Sequence, residues 1–357
     1  MKARARTTKT VEGAAPSTST TPGPGRATGG GGVPALARRA GIFLGLVALL
    51  ALGPMVLSDY DQQVAYRVFQ YAALGTAWNL LAGYGGLVSL GSAAFIGIGA
   101  YTAGKLTNVL VGVPLAPLMA LGGIDAAIFA AIVSPALFRL RGLYFTIGTL
   151  ALSEALRLFM INYNGLGGAI GIFLGGAAPT TAALYWLSLA VAALAIGVVL
   201  LVLRTRLAIS LRAVRDDEDV ARQMGLYSFR TKLFAFTLAA FLMGVVGGMQ
   251  AGKLSAIEPY GSFGLQWTVD IVTVVLIGGI GTTGGPLLGA VFTVLLAEAL
   301  QSQPELHLMI TGAILIVLIR FAPQGLWGVG ERAWSAVRGR GSPGSRAGPV
   351  PGQGGSP

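Results

Sequence analysis

Arg204, Arg206, Arg212, Arg215, Arg222, Arg230 and Lys232 enclose Asp216, Asp217, Glu218 and Asp219 in one stretch, 204–232, with long apolar runs on both sides. Turning the chain between two helices takes roughly five residues, so this loop is far longer than reversal requires. Charges of both signs in a short polar segment suit docking, because complementary charges on a partner fix register and orientation more than they add affinity. The stretch from about Ser210 to Met224 is expected to form one short helix, with Gly225 as its stop.

A second set of ionisable residues falls inside apolar runs: Arg67, Asp125, Glu154, Arg157, Asp270 and Glu298. A charge at the centre of a bilayer costs at least about 2.5 kcal/mol on insertion scales, so each needs an explanation. Glu154 and Arg157 are three residues apart, share a helix face and can pair. Arg67, Asp270 and Glu298 fall near span ends, where an interfacial position suffices. Asp125 needs a bond to a neighbouring helix. An ion relay would draw on Asp125 and Glu154, but no clear series of such groups is visible.

Covalent chemistry finds little support. The absence of cysteine excludes disulfides, iron–sulfur clusters and thiol catalysis. His307 is the only histidine, which excludes a multi-histidine metal site. There is no GxxxxGK[ST] phosphate cradle, no Ser/His/Asp set and no pair of carboxylates at a plausible reaction centre. No catalytic residue, metal ligand or cofactor-binding residue is assigned.

The elements that must position these groups are membrane helices. The chain of 357 residues is 54% hydrophobic and only 11% charged, against about 25% charged in soluble domains. A hydrocarbon core about 30 Å thick needs roughly 17–25 apolar residues of helix. Spans are expected near 41–57, 64–82, 86–105, 114–138, 142–162, 182–203, 233–251, 267–281, 286–301 and 306–321, so the fold class is an all-α integral membrane protein of about ten helices. With ten spans, Arg38, Arg39, Arg139, Arg141, the 204–232 loop, Arg332, Arg338 and Arg340 share one side, which is cytoplasmic and holds both termini. Topology therefore accounts for the +11 net charge without nucleic acid. Residues 1–40 and 326–357 read as flexible tails, rich in Gly and Pro, flanking a membrane domain over 41–325. Trp78, Trp186, Trp267 and Trp327 fall near span ends, as an aromatic belt would require.

Two glycine-rich stretches interrupt the apolar pattern, Gly83 to Gly104 and Gly278 to Gly289, one in each half. Broken helices in corresponding halves of a transporter mark a solute path. Gly85, Gly86, Ser89, Ser92, Gly278, Gly279 and Gly285 are the path-lining candidates. Close helix packing is the simpler use of most of these glycines.

The order NLLAGYGGLVSLGSAAFIGIGAYTA (79–103), RGLYFTIGTLALSE (141–154), LRAVRDDEDVARQMGLYSFRTKLFAFTLAAFLMGVVGGMQA (211–251), VVLIGGIGTTGGPLLGA (274–290) and FAPQGL (321–326) resembles the branched-chain amino acid permease family of ATP-binding-cassette importers, in its LivM-like branch. The resemblance covers roughly 65–325. It implies a multi-pass subunit of a bacterial plasma membrane, paired with a second, related permease, two ATPase subunits that bind ATP and Mg, and an extracytoplasmic solute-binding protein. It implies that the loop around Ala213–Gly225 rests on the ATPase, so Arg212, Ala213, Arg215, Asp216, Asp217, Glu218, Met224 and Gly225 are the coupling candidates. The solute would be a branched-chain amino acid or a related small polar molecule such as another amino acid, an amide or urea. The chain departs from the family at Ser92, where His is common, and over Asn164–Ile172, where a Thr-Gly-Gly element is usual. An ion-coupled secondary transporter is the alternative.

Overall fold

A computed structural model describes residues 32–110, 112–175, 179–254, 256–301, 304–321 and 325–331. The chain divides into two units, Met1–Leu46 and Val47–Pro357. In the first, the described residues form the start of α1 (Gly32–Ala51). The second holds α2 (Asp59–Asn79), α3 (Ser92–Val109), α4 (Leu115–Leu137), α5 (Leu143–Asn162), β1 (Ile172–Phe173), α6 (Thr181–Val202), α7 (Arg206–Asp216), α8 (Glu218–Gln223), α9 (Ser228–Lys253), β2 (Ala256–Ile257), α10 (Pro259–Ser262), α11 (Leu265–Gly278), α12 (Gly285–Ala299) and α13 (Pro304–Phe321). Residues 325–331 are also helical.

Local chemistry sets several helix starts. Ser58, Thr180 and Thr205 accept from the first-turn amides of Asp61, Ala183 and Leu207, which satisfies donors that a helix leaves free. Asp59 and Asp61 in the first turn of α2 also suit its positive end.

Five helical stretches among the described residues are long and apolar enough to cross a membrane: Leu115–Leu137, Leu143–Asn162, Thr181–Val202, Ser228–Lys253 and Pro259–Gly278. Phe43–Met55 and Gly285–Ala299 are apolar but shorter. The protein is thus a helical, multi-pass membrane protein. Its departure from all-α is a two-residue antiparallel ladder, Ile172 opposite Ile257 and Phe173 opposite Ala256. The most apolar window of α9 is 67% buried, that of α5 only 22%. So α9 is central and α5 shows most of its surface.

The core is built by close backbone approach. Where α3, α4 and α9 cross, a Cβ on Gly122 would stand 2.6 Å from the Gly99 carbonyl oxygen, and one on Gly244 would stand 2.8 Å from the Gly122 carbonyl oxygen. Small residues allow this packing, in which van der Waals contact replaces the hydrophobic drive that lipid removes. Aromatic rings fill the end next to the 204–232 loop: Phe236 packs edge-on to Phe95 at 5.4 Å and to Phe138 at 5.6 Å.

The structure alters several expectations. The span at 64–82 starts earlier, at Asp59, and beyond Asn79 it loosens into a π-helical turn, Leu80–Tyr84. The span at 86–105 is helical only from Ser92. Order extends into both supposed tails, since helix starts at Gly32 and 325–331 are helical; the rest of each tail lies outside the described residues. Trp78 is not a belt residue. It is 2% exposed and donates from Nε1 to the Ser89 carbonyl at 2.8 Å, because that loop needs a donor.

Candidate functional site

Two helix breaks meet one charged loop. The first follows α2. Its π turn admits one residue too many per hydrogen bond, with Gly85 N–H on the Leu80 carbonyl (3.3 Å), and the bond after it, Leu87 N–H on the Leu81 carbonyl (3.0 Å), spans six residues. Residues 85–91 then leave the helix, and freed backbone groups at this depth need protein partners. Thr146 of α5 donates to the Val88 carbonyl (2.8 Å), and Leu90 N–H donates to Thr149 Oγ1 (3.0 Å). Thr268 of α11 accepts from Ala93 N–H (3.3 Å) and donates to the Leu90 carbonyl (3.3 Å).

The second break, 279–284, lies against the first. Asn79 clamps it with both ends of its amide: Nδ2 donates to the Thr282 carbonyl (2.8 Å) and Oδ1 accepts from Gly281 N–H (2.7 Å). A Cβ on Gly83 would stand 2.6 Å from Gly281 N, so only glycine permits the contact. The two glycine-rich stretches are therefore one joint. Asn79, Thr146, Thr149 and Thr268 were not singled out from sequence. Their signal was present as polar residues recurring beside glycine breaks in apolar runs.

The charged loop forms two helices, not the single helix expected from Ser210 to Met224. Asp217 leaves helical geometry (φ −156°, ψ 112°) and its carboxylate caps α8, accepting from Asp219 N–H (2.9 Å) and Val220 N–H (3.0 Å). An acidic run mid-helix offers its side chains as caps, which is why the helix divides there. Gly225 ends α8 at φ +81°, with its N–H on the Arg222 carbonyl (3.0 Å). Ala213 is half-buried and its carbonyl accepts from Asp217 N–H at 3.1 Å.

Arg215 joins loop to break. Its Nη1 donates to the Gly83 carbonyl at 2.6 Å, and its stem lies over Gly86, where a Cβ would stand 2.7 Å from Arg215 Cγ. Gly85, Gly86, Arg215, Asp216, Asp217, Glu218, Asp219 and Lys232 share a cavity of about 650 Å³ with the turn between α4 and α5.

Glu218 ties α8 to the start of α9. It accepts from Lys232 Nζ (2.5 Å), Ser228 Oγ (2.6 Å) and Arg222 Nη2 (2.8 Å). Desolvation works to raise its pKa, but the hydrogen bonds from Lys232, Ser228 and Arg222 outweigh it and hold the pKa down at about 2. Glu218 is thus an internal clamp. Groups of the hairpin that reach solvent include Asp216, 76% exposed and 3.8 Å from Arg215 Nε, Arg212, whose guanidinium lies 5.8 Å from the Tyr84 ring, and the exposed apolar Ile209, Val220, Met224 and Tyr227. Val220 in α8, Met224 at its C-cap and Tyr227 before α9 are all exposed apolar residues of this hairpin.

The other candidates fall into packed surroundings. Ser89 is buried and accepts from Gly91 N–H (3.2 Å). Ser92 is buried, and its hydroxyl makes no hydrogen bond among the described residues. Gly279 in the second break and Gly278 and Gly285 at the helix ends beside it are buried, and a Cβ on Gly285 would stand 2.5 Å from the Gly279 carbonyl oxygen. Among the charged residues, Arg157 Nε bonds both Glu154 oxygens (3.1 and 3.0 Å). Arg67 Nη1 and the Tyr60 hydroxyl bond Glu298, the former at 3.1 Å. The Tyr71 hydroxyl donates to Asp270 (2.9 Å), and Thr102 donates to Asp125 (3.0 Å). Asp125 and Glu154 therefore have separate partners, and among the described residues no hydrogen-bonded relay joins them. The His307 side chain lies outside the described residues. The described residues contain no group of three or more His, Asp or Glu able to hold a metal ion.

Residues 62–319 match the model of a family described as branched-chain amino acid transport system / permease component. The high-affinity branched-chain amino acid transport system permease protein LivM of Escherichia coli is 28% identical over 315 residues, covering 79% of this chain and 74% of that protein. The LivM of Salmonella typhimurium shows the same figures. The autoinducer 2 import system permease protein LsrC of Yersinia enterocolitica is 28% identical over 208 residues, or 57% of each chain. No solved structure matches.

Proposed function

Since the chain belongs to the branched-chain amino acid transport permease family, we propose that it forms half of the membrane path of an ATP-binding-cassette importer and takes its power stroke through the α7–α8 loop. In this reading ten helices cross a bacterial plasma membrane, both termini and the loop are cytoplasmic, and a related permease completes the path. Two separate ATPases bind ATP and Mg, and an extracytoplasmic binding protein delivers a branched-chain amino acid or a related small polar solute.

The observation that carries it is the Arg215 bond to the Gly83 carbonyl. One end of α7 holds the joint between two helix breaks, while the same hairpin shows Met224 (77% exposed) and Val220 (49% exposed) to the outside. Exposed apolar residues amid charge mark a protein contact. A push on the hairpin therefore reaches the places where the membrane helices are least continuous. The test replaces Val220 and Met224 together by Asp and co-purifies the chain with the ATPase subunits of its importer. Loss of ATPase association, and with it of ATP-driven uptake, is expected. Full association and uptake would overturn the assignment of this face.

A further inference from the structure

We propose that Glu154 and Arg157 form a binding site in the transport path for the two charged ends of a zwitterionic α-amino acid with an aliphatic side chain. The inference rests on the importer reading above and adds the site that holds the solute.

Position comes first. Glu154 is 11 residues beyond Leu143, the start of α5. At 1.5 Å per residue it lies about 16 Å along the helix, near the middle of a core about 30 Å thick. Solute sites of transporters lie near that midplane. Exposure comes next. Although α5 is apolar and largely uncovered, the side chains of Glu154 and Arg157 are 46% and 25% exposed. An ion pair at this depth is costly against hydrocarbon, so its face belongs to a protein-lined or watered path.

The surroundings suit one class of solute. The pair borders a cavity of about 580 Å³ with Ile147, Leu150, Ala151 and Leu265, within the size range of small-molecule sites. Among the described residues no other ionisable side chain lines it. The Tyr260 ring lies 5.6 Å beneath the Arg157 guanidinium and steadies it. A guanidinium fork receives a carboxylate in two parallel hydrogen bonds, and a carboxylate receives an ammonium. The resting pair is net neutral, and so is a zwitterion. Binding would exchange one set of ion pairs for two others and leave no charge unmatched. The aliphatic side chain would lie on Ile147, Leu150 and Leu265.

The experiment uses the whole importer in proteoliposomes: this chain, its sister permease, both ATPases and binding protein saturated with leucine. Uptake is read per assembled complex. Glu154→Gln and Arg157→Gln should each lower it at least tenfold, and the double variant Glu154→Leu/Arg157→Leu should not recover it. Wild-type uptake in either single variant, or in the double apolar variant, would overturn the proposal and leave the pair a structural one. If the neutral variants fail to assemble, Arg157→Lys decides, since it keeps the charge but not the fork: a raised apparent KM supports the site and an unchanged KM overturns it. ATP-independent or absent leucine uptake by the wild-type complex would instead remove the importer reading beneath the inference.

Discussion

Replacing Arg215 by Met tests whether the loop drives the joint. Methionine keeps much of the stem that lies over Gly86 and loses the guanidinium that bonds the Gly83 carbonyl at 2.6 Å. A hydrogen bond to a charged group contributes about 1.5–3 kcal/mol. The Arg215 side chain is 48% exposed, so solvent screening places the loss at the lower end, about 1.5 kcal/mol. If the bond exists in only one of the two transport conformations, its removal shifts their balance by that amount, roughly tenfold. The assay is ATP hydrolysis and solute uptake measured on the same proteoliposomes. Hydrolysis should persist while solute carried per ATP falls about tenfold, and Arg215→Lys should fall between Met and wild type. A Met variant with the wild-type ratio would refute the coupling role of this contact.

Two further outcomes follow from the same geometry. Glu218 is held at a pKa of about 2, below its unfolded value, so its contribution is fully present above about pH 4.5 and is lost as pH falls toward the folded value. After discounting for its partial exposure the contribution is roughly 1–2 kcal/mol, and amide exchange at the α8–α9 junction should rise over that acid window in the wild type but be insensitive to it in Glu218→Gln. Gly83→Ala should weaken the joint by about 1–3 kcal/mol, because its Cβ would stand 2.6 Å from Gly281 N; a Gly83→Ala protein with unchanged thermal stability would show that the two breaks are not pressed together.

The charged loop, the glycine breaks and the family order were legible in the residues because each is a local pattern. Apolar runs report spans through the length a bilayer demands, and the motifs from 79–103 to 321–326 lie in fixed order. The stop at Gly225 was legible too, since a left-handed residue after a helix favours glycine. The division of the loop at Asp217 was not, because helix propensity carries no record of which side chain will turn back to cap the next amides. Trp78 looked interfacial from its place near a span end, and only packing showed it inside, serving a carbonyl of the broken segment.

What the sequence by itself determined is therefore a multi-pass helical permease with a long charged loop and two weak points in its helices. Tertiary structure alone decided that the weak points touch, that Asn79 locks them across 203 positions of chain, and that Arg215 reaches one of them across 132. The physical reason is range. Hydrophobic pattern and turn chemistry act over a few residues, whereas a carbonyl freed by a break takes its partner from whichever helix packs beside it.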